Sequence, residues 1–568
     1  MKIVKRDGRT VDYNSDKIRI AIGKANQAVG ENDRITNKGI EDIIKYIESL
    51  DKKRMLVEDI QDIIEEKLME KKKFRLAKVY IIYRYKRSVI RKSNTIDVSI
   101  LTIMKNGQYS EENYLTANRQ RDVMAGEVSK DLAYRLLLPQ NIVEAEQEGR
   151  IKFCNVEYFT EPIIESAKIN VKDMFENGTV INKIKIDPPK SFQAACNILV
   201  EIISSVASSQ TGNIYIDFED LFDYYDFSFD KIYDLYSTLL RDALDEDQIK
   251  AIAHTQVMKE VQTGIQTLFY QINTLTIGSG MVPKVNFLID VRKIKKYEQE
   301  RLIFEFIKQK TEGIKDEDGQ IVIPTYPQIV YCLPEGEDLI AKYSYITSEL
   351  TNSRVYYIMT EKRYDSFCQQ ISRFNQGSVA INLAALAMEI VDKGNGDFAE
   401  SVKANLEFCY EALLCRNHNL QGVYSDKSPI HWQHGAITRL AKMKRIDDFL
   451  KKEHSFMVLH VCGFEAAMQI LGNDVKTKKE IRDLIVDMVK SWNRDSSFET
   501  VLSNECVNFL HDDVDKYEKF GITSLSDSID FMKDSYFKDG FIYASCENIE
   551  EALLEGNLII RFGKRESK

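Results

Sequence analysis

Residues 373–383 decide the fold of the longer part of the chain and read Arg373-Phe374-Asn375-Gln376-Gly377-Ser378-Val379-Ala380-Ile381-Asn382-Leu383. Val379, Ile381 and Leu383 alternate with smaller or polar residues, a pattern typical of a strand with one buried face. A glycine just before this alternation lets another group approach the backbone closely. Two interpretations follow: an ordinary loop that leads into a core strand, or a strand whose first residues line a pocket.

Length and composition restrict the class of protein. The chain has 568 residues, enough for more than one domain, and its formal net charge is −10. A mildly acidic surface argues against general binding to the nucleic acid backbone. The chain begins with polar residues and contains no apolar run of the ~20 residues that a membrane span requires. We therefore expect a cytoplasmic protein that contacts neither membrane nor nucleic acid.

The nine cysteines are scattered along the chain, and no two of them form a Cys-x-x-Cys pair. This spacing excludes an ordinary zinc ribbon and a thioredoxin-like motif, so we predict no metal site. His431 and His434 form a His-x-x-His pair, which is compatible with metal ligands or with a packed, hydrogen-bonded pair. Trp432 lies between them and no carboxylate is nearby, which favours the packed pair.

The sequence pattern of the first 95 residues predicts a small, mainly helical domain. Residues 2–13 resemble a hairpin that turns at Asp7-Gly8, and helical patterns follow from Ser15, over 37–50, from Val57 and over 74–90. Lys5, Arg6 and Lys17 bring three cations near a turn and a helix start, which suits a polyphosphate. A solvated basic face is the alternative interpretation of the same charges.

The rest of the chain alternates strands and helices. Helical patterns cover 110–145, 191–209, 245–272 and 298–311, and strand patterns cover 149–159, 284–290, 326–333 and 354–359. Such alternation predicts a mixed α/β architecture.

Four N-terminal segments follow one another in the order Val4-Lys5-Arg6-Asp7-Gly8, Lys17-Ile18, Val57-Glu58-Asp59-Ile60-Gln61-Asp62 and Ala77-Lys78-Val79-Tyr80-Ile81-Ile82-Tyr83-Arg84. Together they resemble an ATP-cone, a module that senses ATP and dATP and controls ribonucleotide reductases. The resemblance implies a nucleotide-sensing domain over 1–95, with ATP and dATP as allosteric ligands. It assigns nucleotide binding to Val4, Lys5, Arg6, Asp7, Gly8 and Lys17. Because ATP-cones also occur in a transcriptional repressor, the cone alone does not imply an enzyme.

The quoted stretch and four further segments resemble the anaerobic (class III) ribonucleoside-triphosphate reductases. Those segments are 185–192, 266–275, 324–331 and 429–436, in the order of the family. The resemblance implies a ten-stranded α/β barrel over 96–568, with Arg373, Asn375, Gln376 and Gly377 in its pocket. It further implies a homodimer with a dNTP specificity site at the dimer interface, and a radical-SAM activase as a partner.

The chain departs from that family at the positions that carry its radical chemistry. The family stores a glycyl radical in an Arg-Val-Ser-Gly-Tyr-type motif preceded by four zinc cysteines, whereas this sequence has Arg561-Phe562-Gly563 and no such cysteines. We therefore expect no zinc and no glycyl radical in this chain. The family's Gly-Cys-Arg finger loop falls at 360–372, where Cys368 is the candidate catalytic cysteine. A second cysteine of the family corresponds to Ser166-Ala167, where this chain has no cysteine. The family's His-x-His-Asp motif corresponds to Lys152-Phe153-Cys154-Asn155 in this chain.

Three hypotheses account for these features. The chain is a catalytically incompetent paralogue that senses nucleotides, or it is the large subunit of an active reductase that receives its glycyl radical from another chain. A third hypothesis is a transcriptional or protein-binding regulator that uses the cone as its switch. The acidic balance and the lack of a recognition motif argue against direct DNA contact in that third case.

Overall fold

The computed structural model describes residues 2–4, 10–27, 29–30, 33–50, 54–82, 117–277, 281–333, 357–360, 372–394, 396–472, 475–503 and 560–561. The chain divides into two compact units, Met1–Gly107 and Gln108–Lys568. The boundary that we placed at residue 95 stays a prediction. None of the helices in the described part is long and apolar enough to cross a membrane.

The first unit packs helices against a three-stranded sheet. Strand β1 (Lys2–Val4) pairs antiparallel with β2 (Thr10–Asp12) and parallel with β3 (Arg54–Leu56). The helices are Asp16–Gln27, Asn37–Ser49, Val57–Glu70 and the helical residues 74–82. Their apolar positions form one core that includes Ile22, Ile43, Ile47, Leu68 and Leu76. The two strands of the predicted hairpin therefore pair as expected, and its turn lies outside the described residues.

The strands of the second unit are, in order, β4 (Ile151–Phe153), β5 (Ser166–Lys168), β6 (Thr179–Ile181), β7 (Ile184–Ile186), β8 (Ile214–Asp217), β9 (Val285–Asp290), β10 (Ile314–Lys315), β11 (Ile321–Val322), β12 (Gln328–Leu333), β13 (Tyr357–Thr360), β14 (Phe374–Asn382), β15 (Ser455–Cys462), β16 (Glu499–Ser503) and β17 (Ile560–Arg561). Strands β6–β7 and β10–β11 form two separate hairpins, and the other ten share one sheet.

Two sets of parallel strands run in opposite directions within this ten-stranded sheet. Strands β5, β8, β9, β12 and β13 form one parallel set, and β14, β15 and β16 form the other. Strand β14 joins the sets because it pairs antiparallel with β5 and with β4. Strand β17 pairs antiparallel with β13 at the far end of the described path. This arrangement confirms the predicted mixed α/β fold.

Helices surround the sheet, and their apolar sides cover it. They are Ala117–Leu132 with its π-helical continuation Ala133–Leu137, Gln140–Gln147, Val171–Asn177, Phe192–Ala207, Phe222–Leu240, Glu246–Thr274, Tyr297–Glu312, Leu383–Lys393, Phe398–Leu420, Pro429–Trp432, Phe464–Ile470 and Val475–Asp495. The helices predicted near 191–209, 245–272 and 298–311 are present. The helix predicted over 110–145 is instead several elements, and the strand predicted over 149–159 is limited to β4.

Strand β14 has two different faces. Val379 and Ile381 belong to the main hydrophobic core with the helices, whereas Ala380 belongs to a separate small cluster with Cys154 and Cys462. Alternate residues of a strand point to opposite faces, so Ser378 and Ala380 lie on the face away from the helices. Leu383, which we expected in the strand, instead begins the next helix. The Ala385 amide donates to Asn382 Oδ1 at 3.1 Å, a cap that ends the strand there.

A bulge interrupts β14 between Asn375 and Ser378, where its register with β15 shifts. Gly377 N donates to Asn375 Oδ1 at 3.0 Å, and Arg416 Nε donates to the Gln376 carbonyl at 2.9 Å. A Cβ on Gly377 would lie 3.0 Å from Arg416 Cγ, so the close approach of this arginine requires glycine. Arg416 also donates to the Ile163 carbonyl and so joins the bulge to the segment before β5.

One buried lysine ties the Tyr297–Glu312 helix to the segment before β12. Lys310 Nζ donates to the carbonyl oxygens of Pro324 and, at 3.1 Å, of Thr325. Burial lowers the pKa of Lys310 to about 7. In the unfolded chain the same amine has a pKa of about 10.4.

Lys310 should therefore make folding stability depend on pH. Between pH 7 and the unfolded pKa, the unfolded chain binds the extra proton, so the free energy of unfolding rises with pH in this window. We expect the wild type to gain up to about 1.4 kcal/mol per pH unit relative to Lys310→Met between pH 7 and 9. Urea unfolding of both proteins at pH 7, 8 and 9 measures the difference. Parallel pH profiles for the two proteins would contradict the assignment.

Candidate functional site

The bulge of β14 faces a gap in the neighbouring strands. Strands β4 and β5 both pair with β14, one on each side of the bulge. Cys154 N, just after β4, donates to the Ser378 carbonyl at 3.0 Å, and Glu165 N, just before β5, donates to the Asn375 carbonyl at 2.9 Å. Ser166 is the register partner of Asn375. We call these five residues, Cys154, Glu165, Ser166, Asn375 and Ser378, the strand-gap site.

A hydroxyl and a carboxylate are linked within the strand-gap site. Ser378 Oγ lies 2.7 and 3.0 Å from the two carboxylate oxygens of Glu165. The Cys154 thiol is hydrogen-bonded to the Ser378 side chain. Burial and then the charge of Glu165 raise the pKa of the Cys154 thiol well above its usual value. Cys154 is therefore a neutral thiol rather than a thiolate at physiological pH.

The site is polar and partly exposed. Cys154, Glu165 and Ser166 are only partly buried, whereas Asn375 and Ser378 are buried. Thiol, carboxylate, hydroxyl and amide groups converge on one place, an arrangement able to bind a polyhydroxylated ligand and to move a proton.

The four residues predicted to form the pocket divide between two faces of the strand. Asn375 belongs to the strand-gap site. Gln376 instead faces the Phe398–Leu420 helix, where its amide nitrogen donates to Leu450 O at 2.9 Å and to Ser455 Oγ at 2.8 Å, and its amide oxygen accepts from Asn417 at 2.9 Å. Gly377 makes room for Arg416 on that same side. These contacts show that Gln376 and Gly377 hold the bulge in shape.

Arg373 is buried at the start of β14 in an ion pair with Glu499. Its guanidinium carbon lies 5.2 Å from the centre of the Phe456 ring. The side chain is thus fixed by groups on β15 and β16. A pocket role for Arg373 and its three neighbours stays a prediction.

Several predicted site residues fall where the structure gives little or no description. Cys368 and the cone residues Lys5, Arg6, Asp7 and Gly8 lie outside the described residues. Val4 ends β1, and Lys17 is exposed in the first turn of the Asp16–Gln27 helix. The two hairpin strands and the start of this helix are consecutive along the chain. A site formed by the hairpin turn and Lys17 requires this order.

A cavity of about 670 Å³ lies at the carboxyl ends of β5, β8 and β9. This is the edge of a parallel sheet at which α/β proteins bind ligands. Four cationic side chains line it, together with five carboxylates: Lys172, Arg292, Lys293, Lys295, Glu176, Asp217, Glu219, Asp220 and Asp223. The sequence analysis did not identify this site, because its residues are spread over several elements. The available signal was an acidic residue directly after each of two buried strands.

Asp217 is a buried carboxylate of this cavity. Its Oδ2 pairs with Lys168 Nζ at 2.9 Å, whereas its Oδ1 has no hydrogen-bond partner within the described residues. Burial, reinforced by the charge of Asp217, raises the pKa of Glu219 to about 8 and of Asp220 to about 7. The cavity therefore offers cations together with one acceptor, Asp217 Oδ1, that has no partner among the described residues.

His431 is a packed, hydrogen-bonded side chain, which is the interpretation that we favoured for the His-x-x-His pair. It is fully buried, with its ring nitrogens 2.7 Å from Ser428 Oγ and 3.1 Å from Gln210 Oε1. Burial lowers the pKa of His431 to about 3, so the ring is neutral. In the portion of the chain that is described, no three His, Cys, Asp or Glu side chains are placed to hold a metal ion.

Comparisons with known proteins match both units. The family model "Anaerobic ribonucleoside-triphosphate reductase" matches residues 110–497, and the model "ATP cone domain" matches residues 1–89. The anaerobic ribonucleoside-triphosphate reductase of Haemophilus influenzae is 26% identical, over 94% of this chain and 82% of the relative. The same enzyme of Enterobacteria phage T4 is 26% identical, over 70% of this chain and 71% of the relative.

A solved structure has the same fold. The anaerobic ribonucleotide reductase from Thermotoga maritima in complex with dATP and CTP superimposes with a TM-score of 0.55 at 11% identity. The superposition covers 83% of this chain and 90% of that one. The resemblance on which the sequence analysis relied is confirmed. With more than half of its length matched by the family model, this chain belongs to the anaerobic ribonucleoside-triphosphate reductase family and carries an ATP-cone ahead of the reductase region.

Proposed function

We propose that this chain is a nucleotide-sensing member of the family that binds ATP or dATP in its cone and a second nucleotide in its larger unit. The observation that carries the proposal is the cavity at the carboxyl ends of β5, β8 and β9, in a chain whose residues 1–89 match the ATP cone domain. Its cations suit a triphosphate, and Asp217 Oδ1, which has no partner among the described residues, suits a hydrogen-bond donor of a base or sugar.

In the cone, the family pattern assigns nucleotide binding to the turn after β1 and to the first helix. The residues are Val4, Lys5, Arg6, Asp7, Gly8 and Lys17. Lys17 is exposed and lies next to Asp16 at a helix N-terminus, where backbone amides favour a phosphate. ATP and dATP are the ligands that we propose for this site.

Lys17→Ala in the full chain should weaken ATP and dATP binding at the cone by about tenfold or more, because a charge-assisted contact to phosphate is worth about 1.5–3 kcal/mol. Lys24→Ala is the matched control, since Lys24 is exposed on the same helix about two turns beyond. Calorimetric titration of the three proteins with each nucleotide measures the change. Equal losses in the two variants would show a general charge effect instead of a site.

In the larger unit, we propose that the cavity takes a deoxynucleoside triphosphate that acts as an effector. Lys293 lines it and lies 4.0 Å from the carboxylate of Glu219, so the charge of Lys293 partly offsets the negative charge of the cavity floor. A triphosphate bound there would gain Lys293, Lys172 and Arg292 as partners. The family resemblance implies such a site at a homodimer interface, and we therefore propose a homodimer for this chain.

Lys293→Ala, made in the Lys17→Ala background so that the cone does not contribute, should reduce the remaining dNTP affinity by about tenfold. Lys185→Ala is the control, because Lys185 is exposed on β7 and does not line the cavity. Calorimetric titration of both variants and of the Lys17→Ala parent with each of the four dNTPs measures the affinity. The cavity is not a nucleotide site if both variants bind dNTPs as the parent does.

The strand-gap site favours a second candidate, namely the large subunit of an active reductase whose glycyl radical comes from another chain. Cys154 and Glu165 place a thiol and a carboxylate beside Asn375, and Cys368 supplies the proposed catalytic cysteine. This candidate requires a radical-SAM activase as an additional partner. It predicts that NTPs become dNTPs when the chain is incubated anaerobically with the activase and the radical-bearing chain. If no dNTPs form in that mixture, this second candidate is rejected and only the sensing function remains.

A further inference from the structure

We propose that Glu219 and Asp220 take up protons from the solvent when a polyphosphate enters the cavity at the carboxyl ends of β5, β8 and β9. Binding at this cavity is therefore coupled to pH, and it becomes tighter as the pH falls towards neutrality. The inference rests on the proposed binding of a deoxynucleoside triphosphate by the larger unit. It names the charge state in which that unit accepts the ligand.

Three carboxylates are crowded together at this cavity. Asp217 ends β8, and Glu219 and Asp220 lie on the 3₁₀ turn Phe218–Leu221 that follows it. All three line the cavity, and Asp217 is buried. Like charges this close together in a partly buried place do not all stay ionised unless cations lie beside them. The cations that are available therefore decide which of these groups hold a proton.

Two cations at this end of the sheet are already paired with other carboxylates. Lys168 Nζ lies 2.9 Å from Asp217 Oδ2. Asp290, which ends β9, receives the Arg292 guanidinium in contacts of 3.0 and 3.2 Å. Because each of these cations is held at hydrogen-bond distance by its own partner, neither fully neutralises a second carboxylate.

Glu219 and Asp220 instead accept hydrogen bonds from the backbone. Glu219 Oε1 accepts from the Asp290 amide, and Asp220 Oδ2 accepts from the Lys172 amide at 3.2 Å. Glu219 Oε2 has no hydrogen-bond partner among the described residues, and the Lys293 ammonium lies 4.0 Å from it. These two carboxyls are therefore the least neutralised of the cluster.

The surroundings make both groups ready to gain a proton near pH 8. Burial raises the pKa of Glu219 to about 8 and of Asp220 to about 7, and the charge of Asp217 raises both further. Lys168 and Lys293 lower the pKa of Asp220, but each also lies beside another carboxylate. An anion that enters the cavity adds a negative charge and raises both pKa values again, so protons are taken up on binding.

Further charged and titratable groups face these two carboxyls from the elements around the cavity. Besides the groups already named, they come from the Val171–Asn177 helix, the Phe222–Leu240 helix and the segment after β9, and they are Lys172, Glu176, Asp223, Tyr224 and Lys295. When every lining group is ionised, five carboxylates outnumber four cations. A triphosphate therefore binds more favourably once part of the negative charge is removed.

Protonation also changes what the carboxyl groups can donate. An ionised carboxylate only accepts hydrogen bonds, whereas a protonated carboxyl has one O–H group to donate. A proton on Glu219 Oε2 converts a repelling charge into a donor for a phosphate oxygen. The step forms one O–H bond with a proton from the solvent, breaks no bond of the ligand and transfers no electron.

Calorimetry in two buffers counts the protons. The full-length Lys17→Ala protein is titrated with dTTP at pH 8 in HEPES and in Tris, whose ionisation enthalpies differ. This variant and this nucleotide keep the contribution of the cone small, because ATP and dATP are the ligands proposed there. The difference in heat between the buffers gives the number of protons taken up per dTTP bound, and we expect about one.

Variants locate the proton. Glu219→Gln and Asp220→Asn, made in the Lys17→Ala protein, each replace a carboxyl by an amide of similar shape. Each should lower the uptake, and the double variant should take up none. Asp230→Asn is the matched control and should keep the full uptake, because Asp230 is exposed on the Phe222–Leu240 helix and does not line the cavity. If the double variant does not fold, the two single variants carry the comparison.

The affinity for dTTP reports the same coupling without a heat measurement. Each proton taken up raises Kd by about tenfold per pH unit. Equilibrium dialysis of the Lys17→Ala protein should therefore show Kd rising by up to about tenfold between pH 8 and 9. The Kd of the double variant should change little over the same range.

Two results would overturn the inference and leave the proposed function intact. One is dTTP binding by the Lys17→Ala protein without proton uptake. The other is an uptake that is unchanged in the folded double variant, because the proton would then lie on the ligand or on another residue. A lack of dTTP binding to the larger unit would instead reject the proposed function, and this inference with it.

Discussion

The larger unit depends on the antiparallel pairing of β14 with β5, which joins two sets of parallel strands that run in opposite directions. Parallel strands are joined by crossover connections, which are usually helical, and the face of β14 that carries Val379 and Ile381 packs in the main hydrophobic core with the described helices. The junction brings the end of one set beside the beginning of the other. The strand-gap site lies at this junction, and the bulge of β14 is what opens it.

The bulge is held mainly from the helical side. Arg416 donates to the carbonyls of Gln376 and Ile163, and Asn417 donates to the Gln376 amide oxygen at 2.9 Å. Burial lowers the pKa of Arg416 to about 10, and Glu165 acts against that shift. One buried cation therefore supports the backbone of the bulge on one side and the carboxylate of Glu165 on the other. This shared role links the shape of the strand to the chemistry of the site.

Local patterns in the sequence predicted much of the fold. The alternation of Val379 and Ile381 correctly predicted the central strand, since hydrophobic periodicity reports which face is buried. It did not predict that Leu383 would begin a helix, because the Asn382 side chain caps that helix through a contact visible only in three dimensions. The parallel and antiparallel pairings were not predicted, because periodicity does not report which strands are neighbours in the sheet.

The sites were less accessible to sequence analysis. Asn375, Gln376 and Gly377 are adjacent in sequence and were grouped together, yet strand geometry sends Gln376 towards the helices. Cys154 was noted only as a departure from a family motif, because its proximity to Glu165 and Ser378 depends on two separate strand pairings. Asp217 and Glu219 follow a buried strand, but their relation to Lys168 and Lys293 requires the folded sheet.

Hydrogen–deuterium exchange of the full-length protein with and without dATP tests the central claim of two nucleotide sites most directly. The account predicts slower exchange in two regions: residues 10–27 of the cone, and the segments around 168–176, 217–223 and 291–299 that border the cavity. Protection of the cone alone would contradict a nucleotide site in the larger unit. Protection of neither region would contradict nucleotide sensing by this chain.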